Sequence, residues 1–149
     1  MSVTAAKGFV AAGVIAGLKA SGRPDLALVV NSGPDAHAAG VFTSNRFQAA
    51  PVTWSRQAVA DGRLAAVVLN SGGANACTGS AGFDDAKKMA EWTGAEVGCA
   101  TDDVAVCSTG LIGARLPMDA VLTGIELAAQ DLANTGGACP FPAARACRP

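Results

Sequence analysis

Residues 107–113 read "CSTGLIG", directly after the apolar run Val104, Ala105, Val106 and directly before "ARLPM". A hydroxyl cluster flanked by glycines at the end of a strand can hold a phosphate, stabilise an oxyanion, or simply turn the chain. A second segment, "VVLNSGGANACTG" at 67–79, repeats the design of apolar strand, glycine-rich polar turn and helix. In such turns, exposed backbone N–H groups and a helix N-terminus can together receive negative charge.

Phosphate binding fares poorly on the residues. A P-loop requires a lysine followed by serine or threonine after its last glycine, and neither segment has one. The dinucleotide fingerprint G-x-G-x-x-G also fails, because "SGGANACTG" has adjacent glycines at the wrong spacing. A nucleophile with a histidine base is no better supported. His37 is the single histidine and lies in "GPDAHAAG", which reads as a surface turn. Cys77 and Cys107 lie in the two turns, but small thiols are more often inert than catalytic. The sequence-adjacent pairs Asp84–Asp85 and Asp102–Asp103 read as solvated positions rather than an acid–base pair. What remains is electrostatic work: a hydroxyl and a backbone N–H at Thr109–Gly110 could stabilise an oxyanion without any ionisable group. A plain glycine turn before a helix would look the same.

The elements that must position these turns follow from periodicity. Residues 25–33, 37–45, 50–55, 63–73 and 102–110 read as strands, being short apolar or β-branched runs bounded by turn residues. Residues 55–62 read as a short helix with Ser55 as N-cap, and 80–94 as a helix ending at Gly94. The strongest helical pattern is 116–134, with Pro117 at its start and Met118, Val121, Leu122, Ile125, Ala129 and Leu132 on one face. Strands alternating with helices predict an α/β fold. Short links among the first strands predict a sheet that is antiparallel or mixed. Residues 134–149, "NTGGACPFPAARACRP", have no apolar period and read as a loose tail.

Composition narrows the partners. The chain has 149 residues, half of them hydrophobic and 15% charged, with a net charge of −1. That is enough to bury a core and too apolar for disorder. With no Lys/Arg cluster, nucleic acid is not an expected partner. The run from Phe9 to Leu18 is too rich in glycine for a signal peptide and too short for a membrane span of about 20 residues, so a cytoplasmic location is expected. Five cysteines without a CxxC pair predict reduced thiols and no metal site.

The segments "LNSGGANACTG" and "VAVCSTGLIGARLPM" resemble the ornithine acetyltransferase family, the bifunctional glutamate N-acetyltransferases of arginine biosynthesis. "GFVAAGVIAGLKASGRPDLALVVN" and "AAGVFTSNRFQAAPV" resemble the same family's opening, so the likeness runs from about residue 7 to about residue 137. It implies mixed sheets packed between helices, similar to the self-processing hydrolases and acyltransferases with an N-terminal threonine. It also implies a precursor cut into α and β subunits, assembled as α2β2. The threonine that opens the β subunit takes acetyl from N-acetylornithine and passes it to glutamate, without a cofactor. On this likeness Thr109 and Gly110 form the oxyanion pair, and Asn75, in the neighbouring loop, is a candidate substrate contact.

The sequence also departs from the family. After "LANTGG" the family's "MTT"-containing stretch, which holds the nucleophile, is not found. Residues 1–137 therefore read as an α-subunit-like portion and 138–149 as a divergent tail of the kind a frameshift leaves. Such a chain is expected to be silent alone. The other readings are a non-enzymatic scaffold that pairs with a β-like chain, and a small-anion-binding fragment.

Overall fold

In a computed structural model of the chain, residues 3–134 are described. Four strands form one mixed sheet in chain order: β1 (Phe9–Val14), β2 (Leu26–Asn31), β3 (Ala66–Gly73) and β4 (Val104–Leu111). The pairs β1–β2 and β2–β3 are antiparallel, whereas β3–β4 is parallel. Parallel pairing needs a crossover, and the helix α2 (Gly79–Val97) supplies it between β3 and β4. The remaining helices are α1 (Ala50–Ala58), ahead of β3, and α3 (Met118–Asn134), after β4.

Alternation along the strands decides which face is packed. Leu26, Leu28 and Val30 of β2, Val68 of β3, and Val104 and Val106 of β4 are buried together with Met89 and Val97 of α2 and Val121 and Ile125 of α3. Their strand neighbours point to the opposite face, which carries Phe9, Val29, Val67, Leu69, Cys107, Thr109 and Leu111. The core residues contributed by α1, α2 and α3 all belong to the first face. The second face is apolar and covered by none of the three helices. No helix among the described residues is long and apolar enough to cross a membrane.

The α/β class and mixed sheet agree with the sequence expectation, as do β2, β3, β4, α2 and α3. Four readings are corrected. Residues 9–14, unassigned in the sequence, form edge strand β1 against β2. Residues 37–45 form no strand; His37 makes only an isolated bridge to Arg63. Residues 50–55 are helical rather than extended. Val52, Thr53 and Trp54 favour strands, but Pro51 sits in the first turn of α1, where its fixed φ and missing N–H suit a helix. Ser55 lies inside α1 and is buried instead of capping it. The tail at 138–149 lies outside the described residues.

Candidate active site

The two glycine-rich turns meet at the carboxyl ends of β3 and β4. In register, Ser71 stands beside Thr109, Gly72 beside Gly110 and Gly73 beside Leu111. Beyond the ladder the turns brace each other: the Ala74 N–H donates to the Leu111 carbonyl and the Gly113 N–H to the Ala76 carbonyl, each at 2.9 Å. The Ser108 hydroxyl donates to Asn70 Oδ1 at 2.5 Å, while Asn70 Nδ2 reaches back to the Gly73 carbonyl at 3.2 Å. The parallel crossover brings both segments to one end of the sheet, where ligands of open α/β sheets commonly bind.

β4 is an edge strand, and its outer side is only partly covered. Trp54 Nε1 donates to the Val104 carbonyl at 2.9 Å. The Ser55 hydroxyl donates to the Val106 carbonyl at 2.7 Å and accepts from the Val106 N–H at 2.8 Å. The backbone groups of Val104 and Val106 therefore point outward, and those of Leu111 point toward β3. Gly110 leaves regular strand geometry, with a φ of +134° and its side-chain position turned toward Gly72 of β3 instead of a sheet face. Thr109 faces β3 with its backbone and the open sheet face with its side chain, and both residues are exposed. Thr109 and Gly110 thus lie next to each other on open surface at the end of β4.

Gly110 can hold this place only as glycine. Its φ is +134°, and a Cβ there would stand 2.6 Å from the carbonyl carbon of Gly72. Leu111 and Ile112, next in the chain, are 67% and 64% exposed, which gives the site an apolar border.

Asn75 lies in the second turn but faces inward. It is fully buried, its Nδ2 donates to the Gly82 carbonyl at 2.7 Å, and its Oδ1 accepts from the Thr78 hydroxyl at 2.8 Å. Its carbonyl accepts from the Ala50 N–H at 3.1 Å, and its φ is +47°. These contacts tie the turn to α1 and to the first turn of α2.

The other reactive residues fall elsewhere or serve structure. His37 pairs with Arg63, ahead of β3, so the length of that strand puts it roughly 20 Å from the turns. Asp102 and Asp103 precede β4 at the same far end. Asp85, read from sequence as solvated, is buried; the Arg115 guanidinium donates to both its oxygens, at 2.6 and 3.0 Å. That fork fastens the segment after Gly110 to α2. Cys107 is exposed on the second sheet face, and partial desolvation raises its thiol pKa, the opposite of the lowering that activates a thiol. Among the described residues no cluster of His, Cys, Asp and Glu could hold a metal ion.

The sequence matches the ArgJ family over residues 10–147. It is 63% identical over 137 residues to the arginine biosynthesis bifunctional protein ArgJ of Streptomyces coelicolor, and 59% identical to that of Thermobifida fusca. Each match covers 92% of this chain and 36% of the relative, so the chain spans about a third of their length. The ornithine acetyltransferase of Mycobacterium tuberculosis, solved in complex with ornithine, superposes with a TM-score of 0.85 at 57% identity, over 87% of this chain and 69% of that one. The ArgJ of Bacillus halodurans superposes with a TM-score of 0.81 at 44% identity, over 85% of this chain and 65% of that one. In sequence and in fold, the chain belongs to the ArgJ family.

Proposed function

We propose that this chain is the α-subunit portion of an acetyltransferase that moves acetyl from N-acetylornithine to glutamate, and that Thr109 and Gly110 supply its oxyanion hole. The observation that carries the reading is the exposed Thr109–Gly110 pair at the end of β4, beyond Val106, where α1 bonds to this edge. Attack of a nucleophile on the acetyl carbonyl pushes the π electrons onto its oxygen. Two neutral donors fixed at that oxygen stabilise the charge as it develops, and each is worth roughly 10²- to 10³-fold in kcat in other acyl transferases. When the tetrahedral intermediate collapses, the amine of ornithine leaves with a proton and the acetyl stays on the nucleophile. The amine of glutamate then repeats the attack and carries the acetyl away.

The nucleophile comes from outside this chain. The Cys107 pKa is raised and not lowered, His37 lies at the far end of the sheet, and among the described residues neither turn brings another base beside Thr109. The family resemblance supplies a threonine that opens a β subunit, whose free amine serves as its base. The half-buried Val29, Val67 and Leu69 of the helix-free sheet face, with the exposed Leu111 and Ile112 at its end, support such a partner, since apolar patches of this kind mark interfaces. Asn75 acts in this reading by shaping the turn.

The test is reconstitution. The purified 149-residue chain should convert no N-acetylornithine and glutamate, and co-expression with the remaining portion of the Streptomyces coelicolor relative should restore conversion. In that complex Thr109→Ala should lower kcat about 10²-fold, with Thr109→Ser intermediate. Turnover by the chain alone, or full activity of Thr109→Ala, would overturn the assignment. Saturable phosphate binding by the isolated chain would favour an anion-binding role instead.

A further inference from the structure

Asp25 opens β2 and is only 3% exposed. Its carboxylate accepts three main-chain hydrogen bonds from the loop after β1: from Ala16 at 2.7 Å, Leu18 at 2.7 Å and Lys19 at 2.9 Å. Its own carbonyl accepts from the Ser71 N–H at 2.8 Å and from the Ser71 hydroxyl at 3.4 Å. One residue thus gathers the β1–β2 loop and the end of β3. Hydrogen bonds to a charged acceptor are about twice as strong as neutral ones, so the clamp is stiff.

The clamped loop bears directly on the site. A Cβ placed on Gly72, whose φ is +122°, would stand 2.8 Å from the Leu18 carbonyl oxygen. One placed on Gly110 would meet Gly72 in the same way, at 2.6 Å. Three stretches of main chain are therefore stacked in the order Leu18, Gly72, Gly110, with no space for a methyl group between them. Close-packed backbone transmits displacement instead of absorbing it.

We propose that Asp25 is a positioning residue for acetyl transfer: by holding residues 16–19 and Ser71, it fixes Gly72 and, through that contact, the direction of the Gly110 N–H. The inference rests on the reading of Gly110 as an oxyanion donor. Asp25 itself touches no reacting atom. A donor displaced by a fraction of an ångström still binds substrate but serves the transition state less well.

Amide hydrogen exchange and kinetics on Asp25→Asn test this, with Leu132→Ala as a control in the core of α3. In the chain, Asp25→Asn should speed exchange of the Ala74 and Gly113 amides, which bond across the two turns, about tenfold, whereas Leu132→Ala, compared at matched thermal stability, should leave them unchanged. In the reconstituted complex, Asp25→Asn should lower kcat about 10²-fold with KM within about twofold. Asp25→Glu keeps the charge but shifts it by one methylene, and should fall between wild type and Asp25→Asn in both measurements. It also serves if Asp25→Asn does not fold. Unchanged exchange at Ala74 and Gly113, or an equal change in Leu132→Ala, would refute the clamp. Altered exchange combined with full activity of Thr109→Ala would refute the oxyanion reading and leave the mechanical link standing.

Discussion

The hydroxyl of Ser55 both donates to the carbonyl and accepts from the N–H of Val106, at 2.7 and 2.8 Å. A helix side chain here does the work of a neighbouring strand for one residue of an edge. Ser55→Ala would leave both buried main-chain groups of Val106 without partners, each costing about 1–3 kcal/mol. Denaturant unfolding should show a loss of about 2–4 kcal/mol with an unchanged m-value. A loss below about 0.5 kcal/mol would mean that water or local rearrangement satisfies the edge.

Gly110 and Thr109 should respond in opposite ways to substitution. Gly110→Ala places a methyl against Gly72 at a φ of +134°, and should destabilise the chain by at least about 2 kcal/mol. Thr109→Ala removes an exposed side chain and should change stability by no more than about 0.5 kcal/mol. Thermal melts of both variants, set beside their activities in the complex, separate backbone placement from chemistry.

Asn75→Ala should act on stability. The change strips partners from the Gly82 carbonyl and the Thr78 hydroxyl and leaves a β-carbon residue at a φ of +47°. A loss of about 2–3 kcal/mol is expected. A substrate contact would instead raise KM while the melting temperature stayed where it was.

Asp25 should also leave a signature in acid. Burial raises its carboxyl pKa, but the amides of Ala16, Lys19 and Leu18 outweigh that effect, and Lys19 adds charge attraction, so it lies below the ordinary 3.8. A pKa depressed by folding adds stability above the unfolded value of about 3.9, and that stability is lost as pH falls through the folded value. Wild type should therefore lose more stability than Asp25→Asn between about pH 5 and the acid limit. Parallel curves for the two proteins would show that the carboxylate gains nothing from its three donors.

Much of this architecture is legible in the residues, and the exceptions share a cause. Apolar runs at β2, β3 and β4 and the three-and-four spacing of α3 declare themselves locally. The strand at 9–14 does not, because "FVAAGV" is too small and glycine-rich to separate from a loop until β2 lies beside it. The segment at 50–55 carries strand-forming side chains, yet Pro51 and the burial of Trp54 and Ser55 against β4 make it a helix. Tertiary contact overrides propensity there. Both glycine-rich turns are visible as sequence, and the resemblance selects Thr109 and Gly110 within them. That the turns brace each other, and that Asp25 reaches them through Leu18 and Gly72, depends on residues far apart in the chain. Asp25 looks from sequence like an ordinary residue before a strand. Its role lies in which main-chain N–H groups it meets.

The cover that α1 places on β4 ends at Val106, and the strand runs on to Leu111. A bare strand end with an apolar border recruits other strands, including those of identical molecules, and so is a seed for aggregation. In the proposed reading an acetyl group reaches Gly110 only if this edge stays open, but the newly made chain is safest if something covers it at once. A covering segment on the same polypeptide meets the edge at an effective concentration of about millimolar. In the proposed reading, a precursor that carries its covering segment on the same polypeptide reconciles an edge that must be open for chemistry with a chain that must not stick to its copies.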